Sequence, residues 1–222
     1  MESLAQKKKR AQQIILILAD KYPEPKSALN YSNNFELLIA TMLSAQTTDK
    51  RVNMVTPSFF PELGTPSKLL SLGLDELKNR IKSINLYPTK AKNIIATCQI
   101  LIEQHTSQVP RTREALEDLP GVGRKTANVV LANAFGIPAM AVDTHVFRVS
   151  KRLNFSKGTN PLAVEKDLMK VLPEDQWIHD HHYIIFHGRE TCTAMKPKCS
   201  TCPVRHLCPY PDKTDNRAKC KE

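Results

Sequence analysis

The sequence has little of what a sheet or a barrel needs. Glycine occurs 7 times in 222 residues, aromatics make up 6 %, and long alternating runs of Val, Ile and Thr are missing. With no period-two pattern to bury one face of a strand, an all-α chain is expected. No apolar run nears the roughly 20 residues that span a bilayer. The block Ile14–Ala19 is too short for the core of a signal peptide and no cleavage site follows it. We therefore expect a soluble cytoplasmic protein without a membrane partner. With export not expected, a disulfide scaffold loses its usual setting. Acidic residues are also scarce, 22 against 32 Lys and Arg, for a net charge of +10. Such a balance points to a polyanion, most simply nucleic acid. The 41 % hydrophobic content is enough for a core in one or two domains.

Helical periodicity fills most of the chain. Ala11, Ile14, Ile15 and Leu18 share one face of a helix over 7–22, and Pro23 and Pro25 break it. Asn33 and Glu36 have capping-box spacing ahead of Phe35, Leu38, Ile39, Met42 and Leu43. Short helices follow around 50–55, 67–72 and 75–84, then a long amphipathic one through Ala91, Ile94, Cys98 and Leu101. Cys98 lies on the apolar stripe and reads as a small hydrophobe. Thr112 caps the next helix, and Asn160-Pro161 opens another. Histidines crowd the stretch 179–187, but without the H-E-x-x-H arrangement of a zinc site.

The organising stretch is LPGVGRKTANVVLANAFGIPAMAVDTH, from Leu119 to His145. One apolar helical pattern stops at Pro120-Gly121-Val122-Gly123 and another starts at once with Ala127, Val130, Leu131 and Ala134. Gly136 closes that second helix and Pro138 bars its continuation. Two helices joined by a glycine hairpin leave backbone N–H groups pointing outward, where glycine admits a phosphate. Lys125 falls in the first turn of the second helix, where the dipole disfavours an ammonium ion and so helps an amine act as nucleophile. Phosphate binding would explain the same lysine. Asp143 would serve either chemistry or as the cap of the next helix.

Four of the six cysteines lie between Cys192 and Cys208, spaced C-x6-C-x2-C-x5-C through Cys199 and Cys202. Structural zinc usually pairs two closely spaced knuckles, of which only Cys199–Cys202 is present, and a cubane iron–sulfur cluster takes four thiolates on a flexible loop. Spacing alone leaves the two level.

The hairpin, Lys125, the segment Val142-Asp143-Thr144-His145 and the cysteine loop, in this order, resemble the endonuclease III family of helix-hairpin-helix DNA glycosylases. The similarity runs from about Ile14 to Cys208. It implies an all-α fold of two helical domains flanking a DNA-binding cleft. A six-helix domain over 27–137 would contain the hairpin, and a discontinuous domain, 1–26 plus 138–222, would hold the cluster. It implies Lys125 as nucleophile, Asp143 as catalytic carboxylate and a [4Fe–4S] cluster on Cys192, Cys199, Cys202 and Cys208. Gly121 and Gly123 would hold phosphate, while Gln46 would fill the gap left by an extruded nucleotide and Leu86 would wedge into the duplex. Lys196 and Lys198, beside Met195 in the loop opened by Cys192, would face the DNA backbone. From the residues alone, Gln46 could equally be a frayed helix end, and Leu86 could pack beneath its turn. The expected activity is that of a bifunctional glycosylase and AP lyase. It would act as a monomer on double-stranded DNA with damaged bases or abasic sites, removing oxidised pyrimidines. The related adenine glycosylase lacks the hairpin lysine and carries a further C-terminal domain, so it fits less well. A non-catalytic DNA-binding module would have no use for Lys125 with Asp143.

Overall fold

The computed structural model describes residues 2–23 and 27–214, and within them it contains twelve α-helices, four short 3₁₀ turns and no strand. The chain divides into two compact units, Ser27–Ile137 and a discontinuous one made of Met1–Lys26 with Pro138–Glu222.

Helix α1 (Leu4–Lys21) starts three residues ahead of the basic run, because Ser3 and Gln6 form a capping box. Ser3 Oγ accepts from Gln6 N at 3.2 Å and Gln6 Oε1 from Ser3 N at 2.8 Å, which satisfies two donors of the first turn. Its buried face is Ala11, Ile14 and Leu18. Removing either large side chain would cost about 2–5 kcal/mol through lost burial and the cavity left behind.

The unit Ser27–Ile137 is built around two helices. Helix α2 (Asn34–Ser44) is buried at every position from Phe35 to Leu43, as a helix surrounded on all sides must be. Asn33 caps it through Glu36 N at 2.9 Å, but the box is left open. The Glu36 carboxylate takes Ser32 N at 2.6 Å instead of the cap's own N–H. Then come α3 (Asp49–Val55), α4 (Phe60–Leu63), α5 (Pro66–Leu72), α6 (Leu74–Ile81) and α7 (Tyr87–His105). The unit closes with α8 (Arg113–Glu117), capped by Thr112, and α9 (Arg124–Phe135), ended by Gly136 at φ 63°. Helix α7 packs against α5, α6 and α2, and α2 packs in turn against α9. The six helices expected over 27–137 are eight among the described residues, α4 and α8 being single turns of 4 and 5 residues. Cys98 sits fully buried on α7, and burial pushes its thiol up to about 12, so it is a core residue and no nucleophile.

In the other unit, α10 (Thr144–Arg152), α11 (Pro161–Val171) and α12 (Trp177–Glu190) gather around α1. Helix α1 packs on α11 and α12, and α10 packs on both of them. The shared core includes Ile14, Leu18, Val149, Phe155, Leu168 and Ile184. Arg10 fastens α1 further by donating to the carbonyls of Leu153 at 2.9 Å and Leu207 at 3.3 Å. Among the described residues no helix is long and apolar enough to cross a membrane. Pro25 and Cys220 lie outside the described residues.

Candidate functional site

The hairpin rests on α7. Thr97 Oγ1 donates to Pro120 O at 3.2 Å, and Val122 is buried beneath the turn with its N–H on Leu119 O at 3.0 Å. The two glycines have different reasons to be glycine. Gly121 stands at φ 80°, and a Cβ there would come within 2.6 Å of Asn93 Nδ2 on α7. Gly123 has ordinary extended angles, and a Cβ would meet nothing within 4 Å. Its own chain therefore leaves Gly123 open space, on the outer side of the turn. Gly123 is the N-cap of α9 and offers no side chain to it, and the first turn of α9 carries no acidic residue. The positive end of a 12-residue helix is thus presented without a capping oxygen or a neutralising carboxylate from its own sequence. Lys125 lies in that turn with its side chain exposed, and the neighbouring Arg124 reaches Glu117 only at 3.9 Å.

Asp143 is the N-cap of α10. Its Oδ1 accepts from Val146 N at 2.7 Å, so the capping role foreseen for it is real. The side chain is half-buried, and its other oxygen makes no hydrogen bond among the described residues.

Gln46 and Leu86 occupy the ends of two turns in the Ser27–Ile137 unit. Both side chains are exposed, and both backbones lie in the left-handed region, at φ 55° and 57°. A non-glycine residue adopts that region only when its surroundings insist on it. Leu86 does not pack beneath its turn. Ile84 fills that place, 2 % exposed, and Leu86 stands out at 58 %. Asn85 and Lys90, which the sequence did not single out, bond to the backbone of these turns.

The four cysteines Cys192, Cys199, Cys202 and Cys208 line one pocket, and none is in a disulfide. Arg152 closes one side of it. Its guanidinium donates to Thr193 O at 2.7 Å, to Ala194 O at 2.9 Å and to Cys192 Sγ at 3.4 Å. Arg148, one turn earlier on α10, donates to Cys192 O at 3.1 Å and Gly188 O at 2.9 Å. An arginine pair four residues apart is visible in the sequence, but its partners lie some forty positions away and are not. Burial pushes the Cys202 and Cys208 thiols above their ordinary range, so as free thiols they favour the neutral form. Lys196 and Lys198 are both exposed on the loop, and Met195 between Ala194 and Lys196 is 92 % exposed.

Three of the four histidines of α12 are core residues, and His179 is exposed. His181, His182 and His187 are buried, and desolvation pulls His182 down to about 3 and His187 down to about 4. Among the described residues no three His, Cys, Asp or Glu side chains are placed to hold a single metal ion.

Residues 39–174 match the HhH-GPD superfamily of base excision DNA repair proteins, and residues 192–208 match the iron–sulfur binding domain of endonuclease III. The chain is 52 % identical over 203 residues to endonuclease III of Haemophilus influenzae, covering 91 % of this chain and 96 % of that one. Endonuclease III of Escherichia coli K12 gives the same identity and coverage. A solved structure described as a trapped endonuclease III–DNA covalent intermediate superposes with a TM-score of 0.87 at 48 % identity, over 91 % of this chain and 96 % of that one.

Proposed function

This chain belongs to the endonuclease III family within the HhH-GPD superfamily, and we propose from its residues how it works as a bifunctional DNA glycosylase and AP lyase. The substrate is double-stranded DNA holding an oxidised pyrimidine or an abasic site. The uncapped N-terminus of α9, with Gly121 and Gly123, receives a phosphate of the damaged strand. The damaged nucleotide leaves the stack, at an unstacking cost of a few kcal/mol. Gln46 then meets the orphaned base, having both a donor and an acceptor in its amide, and Leu86 wedges apart the neighbouring bases.

Lys125 supplies the nucleophile. Its neutral amine attacks the sugar C1′ and the base departs with the bonding pair, taking up the proton that the nitrogen loses. The nitrogen lone pair then opens the C1′–O4′ bond, O4′ takes up a proton, and an iminium joins lysine to C1′. That cation acidifies the neighbouring C2′. Loss of a C2′ proton sends electrons toward the 3′ C–O bond, and the 3′ phosphate leaves by β-elimination. Asp143, with one oxygen held by Val146 N, has the other to assist deprotonation or to stabilise positive charge on the sugar.

The cysteine pocket fits an iron–sulfur group. Four soft thiol donors converge on it, while Leu153 and Val204 give it an apolar lining. Arg152 beside Cys192 Sγ offsets the negative charge that thiolates would bring. The likeness of residues 192–208 to the iron–sulfur binding domain of endonuclease III favours an iron–sulfur group over a single zinc ion, which four thiols could also hold. We assign a [4Fe–4S] cluster to Cys192, Cys199, Cys202 and Cys208, as a brace for the loop bearing Lys196 and Lys198. The chemistry it supplies is structural.

The observation that carries the reading is Lys125 exposed in the first turn of a helix without a side-chain cap. Its chain is half identical to one trapped covalently on DNA. Borohydride reduces an iminium irreversibly, so it should lock the native protein onto lesion-bearing DNA. Lys125→Gln should lose trapping and strand cleavage together while still binding the lesion duplex. Asp143→Asn should still bind but turn over at least a hundredfold more slowly, the scale of removing one positioned electrostatic group. Trapping by Lys125→Gln would place the nucleophile elsewhere.

A further inference from the structure

Gln46 and Leu86 stand on separate turns 40 positions apart, yet both are held left-handed, and one pair of side chains ties the two turns together. Asn85 Nδ2 donates to Gln46 O at 2.7 Å. Lys90, in the first turn of α7, is 7 % exposed and directs its Nζ away from solvent. It donates to Leu43 O at 2.7 Å, to Ala45 O at 2.6 Å and to Thr47 Oγ1 at 3.3 Å. All three ammonium protons are thereby used, on oxygens that flank Gln46 on both sides. The Lys90 backbone N–H meanwhile bonds Leu86 O at 3.0 Å, so the same residue anchors the second turn.

Burying an ammonium ion is costly, and here burial lowers its pKa with no carboxylate among its bonded partners to offset that. The charge answers the carbonyl end of α2 instead, where the helix dipole is negative. A lysine turned inward in this way cannot itself bind phosphate. A core position could have been filled by leucine at less expense, so the expense must be met by what the three bonds hold in place.

We propose that Lys90 and Asn85 are positioning residues for base extrusion, holding Gln46 left-handed and coupling it to the Leu86 turn so that both side chains meet the duplex as one preformed wedge. This rests on the reading that Gln46 fills the gap in the helix. The left-handed form disfavours a non-glycine residue by roughly tenfold. Once the anchors are removed, the competent fraction falls by up to about that factor, and the apparent affinity for the extruded state falls with it.

The test uses the full-length protein with its cluster and a duplex carrying an uncleavable abasic analogue opposite a fluorescent purine. The purine brightens when it is estranged from the stack. Gln46→Ala, Asn85→Ala and their double variant are compared with native protein, alongside binding to undamaged duplex. Asn85→Ala should weaken the bright complex by about three- to tenfold and leave undamaged-duplex binding unchanged. The double variant should be no worse than Gln46→Ala alone, because Asn85 acts through Gln46. Lys90→Met should show the larger loss, up to about tenfold. Asn85 is exposed, so its variant keeps the fold and decides the matter even if Lys90→Met does not accumulate. Additive losses, or a native signal from Asn85→Ala while Gln46→Ala is impaired, would overturn the positioning role. A native signal from Gln46→Ala would instead remove the premise about Gln46, and the positioning role with it.

Discussion

Replacing the two hairpin glycines one at a time should give opposite results. Gly121→Ala puts a side chain at φ 80°, which costs about 1–2 kcal/mol. Its Cβ would also lie 2.6 Å from Asn93 Nδ2 and 3.1 Å from Asn93 Cβ. The amide end can swing away, but the Cβ of a helical residue cannot, so a further 1–2 kcal/mol of overpacking is expected at about the usual scale. A total of about 2–4 kcal/mol corresponds to a fall in melting temperature of roughly 4–16 °C for a chain of this size. Gly123→Ala meets no atom within 4 Å and no positive φ. Restricting the unfolded chain would add about 0.4–1 kcal/mol of stability, and alanine's poorer N-cap preference would remove a similar amount, about 0.5–1 kcal/mol. The melting temperature should therefore stay close to native. The methyl group would fill the space left for a phosphate, so affinity for duplex DNA should fall severalfold at matched salt. Calorimetry and fluorescence anisotropy on the same preparations separate the two effects. Native DNA affinity in Gly123→Ala would show that no phosphate approaches α9 there.

Three further outcomes follow from named contacts. Replacing both Lys196 and Lys198 with Ala should flatten the log–log salt dependence of DNA binding by up to about two units, if each neutralises one phosphate; an unchanged slope would take the loop off the DNA. Protein isolated without air should carry about four irons per chain, and Arg152→Met, which loses the bonds to Thr193 O and Ala194 O, should release them to a chelator faster than native. Burial, reinforced by the charge of Asp175, pushes the Asp180 carboxyl from 3.8 up to about 7. The folded chain then keeps a proton that the unfolded chain gives up, so this group's contribution to stability is present below about pH 4 and lost as pH rises through 7. Asp180→Asn should therefore gain more stability over native at pH 8 than at pH 5 in urea titrations; an equal difference at both would refute the assignment.

What the sequence made legible was whatever repeats locally. The face Ala11, Ile14 and Leu18, the caps Asn33, Thr112 and Asn160, and the stop at Gly136 each follow from side-chain chemistry within one helical turn. Phe59-Phe60-Pro61 gives no period, so α4 was invisible. The capping box Ser3–Gln6 was legible in principle but hidden by the more conspicuous Lys7–Arg10 run. Gln46 could be placed at the exit of an apolar stripe and Leu86 in a hydrophobic turn, but nothing local predicts a left-handed backbone at a glutamine or a leucine. Asn85 and Lys90 bond to the backbone of the Gln46 turn, and a contact spanning 39 or 45 positions leaves no periodic trace. Of the proposed site residues, Lys125 stood out by its place just after the glycine hairpin and the cysteines by their clustering, while their roles followed from the family resemblance. Arg148 and Arg152 did not, because their task is defined by the loop they hold.

Helix α10 joins two of these parts within one unit. Asp143 sits at its first end with one carboxylate oxygen tied to Val146 N, and Arg152 sits at its last turn with its two terminal guanidinium nitrogens on the cysteine loop. A nine-residue helix is a rigid strut of about 13 Å, and this one packs along α12, whose end leads into Cys192. The proposed catalytic carboxylate and the cysteine loop are in this way linked by packing within one unit.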